Sequence, residues 1–140
     1  MTIPEQIAVA GVVGAGGAGF PAHVKAASRI DTVIANGAEC EPLIHKDVEL
    51  MAHHADRVLH GVKLLMESTG AARGIIGVKE KNRTAVAALT RAIDANSISL
   101  EILGDFYPSG DEYILVYEAT RRLLPPNGIP LQVGAVVSNV

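Results

Sequence analysis

Tryptophan is absent from the 140 residues, phenylalanine occurs twice and cysteine once. The single thiol, Cys40, excludes an internal disulfide and any metal or iron–sulfur centre built from four cysteines of this chain. Charge is sparse as well: 19% of residues are charged and the net charge is −3. No basic cluster stands out, which argues against nucleic acid or an anionic membrane as partner. Long apolar runs are missing too. The stretch Ile7 to Val13 falls well short of a membrane span, and Gly11 interrupts it. No charged segment followed by an apolar one opens the chain, so no secretory leader is expected. What is present is 49% hydrophobic residue in 140 positions. That suffices for one domain with its own core and excludes a disordered tail. The expectation is a soluble, cytosolic domain.

Fourteen glycines in an aromatic-poor chain suit tight turns between strands and helices. Short Val- and Ile-rich runs predict strands buried on both faces at Thr32 to Ala35, Gly74 to Val78, Ile98 to Leu103 and Gly134 to Ser138. Helical spacing fills the intervals. Val58, Val62, Leu65 and Met66 predict a helix over Ala55 to Thr69, stopped by Gly70. Val86, Leu89 and Ile93 predict one over Asn82 to Ala95. Ile114 and Leu115 predict a third over Asp111 to Arg122, with acids in its first turn and arginines in its last. Alternating strands and helices give the fold class: α/β, a Rossmann-like, mostly parallel sheet with helices on both faces and a glycine-rich loop. No repeat, low-complexity segment or internal linker divides the chain. It stops directly after an apparent strand, so residues 1–140 are expected to be one domain of something longer.

The loop Gly14-Ala-Gly-Gly-Ala-Gly19 satisfies the dinucleotide fingerprint, with Gly14, Gly16 and Gly19 in its three slots. Glu39 lies twenty residues beyond, where a ribose-binding acid belongs. Pro21 opposes that reading. A helix already under way there would lose a donor and clash with an upstream carbonyl. Pro21 fits a first-turn position, with the whole glycine stretch in the loop before the helix. A side-chain-free loop of this kind lets a flat ring lie on it and offers backbone N–H groups to a ligand. The plain alternative is a glycine-rich turn that holds nothing.

These residues, with Phe20-Pro21, Lys25 and Asn36-Gly-Ala-Glu-Cys-Glu-Pro42, resemble a known family. It comprises the flavin-binding domain of the NADH-oxidising subunit of respiratory complex I and its relatives in the Rnf electron-transport complex, the RnfC-type proteins. Within it the likeness runs furthest toward the cobalamin reductases of bacterial propanediol utilisation. Tyr107-Pro-Ser-Gly-Asp-Glu112 and Gly134 to Val140 continue the match in order. The resemblance implies FMN in a Rossmann-like domain and NADH as hydride donor. It also implies iron–sulfur clusters on regions outside this chain. By position, Gly14, Gly16 and Gly17 would line the flavin. Lys25, Asn36, Tyr107 and Asp111 would contact it, and Asn139 would sit near its phosphate. Phe20 would stack on the nicotinamide, and Glu39, Glu41 and Glu112 would face NADH. An iron–sulfur domain or protein, or a corrinoid adenosyltransferase, would follow as partner. The setting implied is the cytoplasm, a bacterial microcompartment or the edge of a membrane complex. Two departures stand out: Ala38 replaces an acid common in the family, and Asn127-Gly-Ile-Pro130 lacks the aromatic that precedes the last proline in complex I relatives.

Each residue also has an ordinary reading. Lys25 could be a solvated helix lysine, Glu39 and Glu41 an acidic loop, Asp111 and Glu112 dipole-complementing acids, and Tyr107 a core tyrosine. Cys40, between two glutamates, reads as structural rather than redox-active. His53, His54 and His60 do not converge and read as surface residues, with no metal site. No general acid or nucleophilic triad is visible, and hydride transfer between nicotinamide and flavin needs none. The expectation is therefore the FMN domain of an NADH-dependent flavin oxidoreductase. A Rossmann module that binds NAD without flavin, or a non-catalytic scaffold of the same fold, are the alternatives.

Overall fold

The computed structural model describes residues 1–14, 18–93 and 97–140. Among these residues, four strands form one sheet: β1 (Thr32–Asn36), β2 (Arg73–Lys79), β3 (Ile98–Leu103) and β4 (Ala135–Asn139). Their order across the sheet is β3-β2-β1-β4, and all three pairings are parallel. The four runs expected from Val and Ile content are these strands, displaced by a residue at most. Burial over most of their length explains the apolar runs of β1, β2 and β4. Strand β3, at the sheet edge, leaves Ser99 and Ile102 exposed, so the expectation of burial on both faces does not hold for it.

Among the described residues, six α-helices accompany the sheet: α1 (Ile3–Val9), α2 (Ala22–Ala27), α3 (Lys46–His53), α4 (Ala55–Thr69), α5 (Arg83–Ala92) and α6 (Glu112–Thr120). Val33, Ala35, Ile76 and Val78 pack against Met51, Leu59, Val62 and Leu89 of α3, α4 and α5. Ile34 and Val137 point to the other face, where Leu115 and Val116 of α6 cover them. Successive residues of a strand face opposite ways, so adjacent Val33 and Ile34 feed two separate cores. Two glycines in β2 let the layers close. A Cβ at Gly74 would stand 2.8 Å from Met66 and Val62 of α4, and one at Gly77 would stand 2.6 Å from Leu115 of α6.

Helix α4 spans the expected residues and ends at Gly70, whose φ of 77° provides the left-handed stop. Helix α5 is shorter than its periodicity suggests, and the Asp94 and Ala95 end of that expectation lies outside the described residues. Helix α6 begins one residue later than expected, because Asp111 is its N-cap and accepts from Tyr113 N and Ile114 N. It stops at Thr120. Arg121 adopts φ 59° and Arg122 leaves the helix for Asp31, so neither arginine lies in the last turn. Helices α1 and α3 carry too little apolar periodicity to be foreseen. The second is held by packing, since fully buried Met51 lies over Gly37, where a Cβ would be 2.5 Å from its sulfur. No described helix is long and apolar enough to cross a membrane.

Candidate functional site

From β1 the chain crosses to β2 and β3, then returns past β1 to add β4 on the other side. The reversal makes the carboxyl ends of β1 and β4 a topological switch point, the place where open α/β sheets bind ligands. Asn36 and Asn139 pair there across the two strand ends. A cleft of about 590 Å³ opens beside them, within the usual range for a small-molecule site.

The glycine loop forms one wall. Gly14 N–H donates to Phe20 O at 2.8 Å, and Val13 bridges Pro21 in antiparallel fashion, which closes the loop at its neck. Gly14, Ala18 and Gly19 line the cleft, and Gly19 has a φ of 61° that a larger side chain would resist. Gly16 and Gly17 lie outside the described residues. The loop runs between α1 and α2, not from a strand into a helix. That placement departs from the dinucleotide fingerprint despite the glycine spacing. Pro21 is the N-cap of α2, one position before the first turn where it was expected.

Lys25 reaches in from α2. Its ammonium donates to Val137 O of β4 at 2.6 Å and lies 5.3 Å from the centre of the Phe20 ring. The lysine is therefore anchored in the cleft rather than solvated at random. An ammonium has three donors, so those not on Val137 remain for a ligand. Phe20 is 37% exposed and lines the same cleft. Glu112, in the first turn of α6, is half-buried in the opposite wall beside Gly110. Pro130, Leu131 and Ile129 supply an apolar flank, which Tyr113 steadies by donating its hydroxyl to Gly128 O at 3.1 Å.

A second cleft of about 260 Å³ shares Asn36, Gly110 and Asn139 with the first and continues past them. Glu39, Cys40 and Glu41 line it together with Lys46 and Asp47. Glu39 accepts the N–H of Asp47 at 3.1 Å, which ties its carboxylate to the start of α3, and Lys46 pairs with Asp47. Glu41 is exposed.

The remaining candidates stand differently. Asn36 lines both clefts, yet its amide is engaged: Nδ2 donates to Gly110 O at 2.9 Å and Oδ1 accepts Ala38 N–H at 3.1 Å. Tyr107 is 77% exposed and lines neither cleft, and Asp111 is occupied as the α6 cap. Asn139 is exposed at the junction of the two clefts. Cys40 is bonded between two loops, in keeping with a structural role. His53 pairs with Glu49 at 3.3 Å, and His53, His54 and His60 are all exposed. No group of three metal-ligating side chains occurs among the described residues. Sequence reasoning passes over Val12, Val13, Leu131, Lys46 and Asp47. The first two read only as an apolar run, and nothing local marks the others.

The shape suits a flat ring with an anionic tail. It offers a wall in which Gly14, Ala18 and Gly19 leave backbone accessible, an apolar flank and an anchored cation at the end of a parallel sheet. The sequence pattern of the Nuo51 FMN-binding domain matches residues 7–140. Cobalamin reductase PduS of Citrobacter freundii is 52% identical over 139 residues, covering 99% of this chain and 31% of the relative. A component of the Na(+)-translocating ferredoxin:NAD(+) oxidoreductase complex of Acetobacterium woodii is 42% identical over 144 residues, covering 99% of this chain and 32% of that protein. Among solved structures, a chain of an NAD+-reducing nickel–iron hydrogenase in its air-oxidised state superposes with a TM-score of 0.77 at 27% identity. That match covers 98% of this chain and 28% of the other. The chain thus spans about a third of the length of the curated relatives it matches.

Proposed function

Because the chain belongs to the Nuo51 FMN-binding domain family, we propose that the cleft at the ends of β1 and β4 holds FMN and that NADH reduces it there. Bound FMN supplies two-electron hydride acceptance with one-electron release. The chain's own residues bind and orient. Gly14 and Gly19 present bare backbone to the ring, and Lys25, fixed on Val137 O, offers its free donors to an electron-rich or anionic part of the ligand. Asn139 sits at the strand end where a phosphate would be received. Gly16 and Gly17 join this set by their place in the loop. Tyr107 and Asp111 would reach a flavin only after the segment before α6 shifted.

The second cleft extends the site toward the dinucleotide. Glu39 and Glu41 are acceptors for ribose hydroxyls, while Glu112 and Phe20, both in the first cleft, offer a carboxylate and a ring for stacking. The observation that carries the reading is the meeting of the glycine loop, Lys25 and the β1–β4 switch point around one cleft.

We place this domain within a longer polypeptide whose other regions hold iron–sulfur clusters. Electrons leave toward an iron–sulfur domain or a corrinoid-handling protein such as an adenosyltransferase. A cytoplasmic site, in a microcompartment or at the edge of a membrane complex, belongs to the same proposal. Anaerobic addition of NADH to FMN-loaded protein tests it: the visible flavin absorbance should bleach. FMN that stays oxidised in the presence of NADH would contradict the assigned donor.

A further inference from the structure

Gly110 stands in the wall shared by the two clefts, and its backbone polar groups are held by side chains from the end of β1 and from the loop that follows it. Its N–H donates to Cys40 Sγ at 3.3 Å, and its C=O accepts from Asn36 Nδ2 at 2.9 Å. The same two side chains also hold Ala38 of that loop. Cys40 donates its thiol hydrogen to Ala38 O at 3.1 Å, and Asn36 Oδ1 accepts Ala38 N–H at 3.1 Å. Fully buried Ser109 lies beside the thiol, with its hydroxyl 4.0 Å from Sγ. The fit admits no side chain at Gly110, since a Cβ there would run into the Ala38 carbonyl oxygen.

We infer that Asn36 and Cys40 are positioning residues that clasp Gly110 and thereby set the wall between the flavin cleft and its acidic extension. The inference rests on the FMN reading of the cleft. The clasp fixes the two peptide units that flank Gly110 in the cleft wall and sets where α6 begins, hence where Glu112 stands. Asn36 then acts on the flavin through Gly110 with one of its two Nδ2 hydrogens. Cys40 acts as a paired donor and acceptor, not as a redox group.

The test compares wild type with Cys40→Ala, Cys40→Ser and Asn36→Asp. Exchange of the Gly110 amide is followed by NMR without flavin. FMN affinity and the visible band of saturated FMN are then measured. Cys40→Ala should speed Gly110 exchange, weaken FMN binding by about five- to tenfold, as expected for one or two lost hydrogen bonds, and shift the bound band. Cys40→Ser should restore all three, because a hydroxyl both donates and accepts. Asn36→Asp keeps the Ala38 bond but sets a carboxylate against Gly110 O, so it should weaken FMN binding without recovery. A Cys40→Ala protein that melts lower yet binds FMN with unchanged affinity and band would overturn the inference, as would failure of serine to rescue. A wild type that takes no FMN would sink the functional reading and this role together, and that failure is seen before any variant is compared.

Discussion

In the proposed site, Lys25 is the residue whose loss is expected to cost the most affinity. Its ammonium is already fixed on Val137 O, so it meets an incoming acceptor with little further loss of side-chain freedom. A hydrogen bond from a charged donor contributes about 1.5–3 kcal/mol, so Lys25→Met should weaken FMN binding by roughly ten- to a hundredfold. Fluorescence titration measures this, and unchanged affinity would remove Lys25 from the site. Asp31 carries a different kind of prediction. The Arg122 guanidinium, 2.8 Å away, holds its carboxyl below the ordinary value of 3.8, helped by Thr32 and Arg73. A lowered native pKa means the pair stabilises the fold above the unfolded value, and the contribution disappears as pH falls through the native one. The gap in melting temperature between wild type and Asp31→Asn should therefore be present at neutral pH and close in strong acid. The carboxylate is half exposed, so the gap is small. A gap that widened on acidification would contradict the assignment.

Among the elements, α6 links the core to the site. Leu115 is fully buried against Gly77 on one side of the sheet, while Glu112 in the first turn borders the cleft. Leu115→Ala should cost about 2–5 kcal/mol of stability, read from denaturant unfolding. A loss well under 1 kcal/mol would mean this face of the sheet is not the tightly packed core described. The elements also show what is legible from sequence. Strands β1, β2 and β4 are visible because burial in a parallel sheet demands runs of Val and Ile, and α4 because its apolar stripe ends at a glycine. Helices α1 and α3 are not, since they are short and rely on tertiary contacts such as Met51 over Gly37. At the site, the glycine loop and Lys25 are legible as motif. The engagement of Asn36 by Gly110 is not, because the partners are 74 residues apart. Asp111 shows the converse, since its place at a helix start can be read locally, although the structure makes it the cap rather than an acid of the first turn.

For the whole molecule, the strand order decides where chemistry can occur. The return from β3 to β4 past β1 creates one switch point, and the glycine loop, α2 and α6 each bring a residue of the proposed site to it. A ligand that binds only the folded chain stabilises it, by about 2.7 kcal/mol at a hundred times its dissociation constant. FMN well above its dissociation constant should therefore raise the melting temperature in proportion to the logarithm of its concentration. Everything proposed for this chain depends on the flavin cleft itself. The decisive experiment is titration of FMN into the purified chain, followed by fluorescence, with FAD and NADH titrated separately. Saturable quenching by FMN at one equivalent per chain is the predicted result. NADH binding with no FMN binding would contradict it, and would make the glycine loop a dinucleotide site after all.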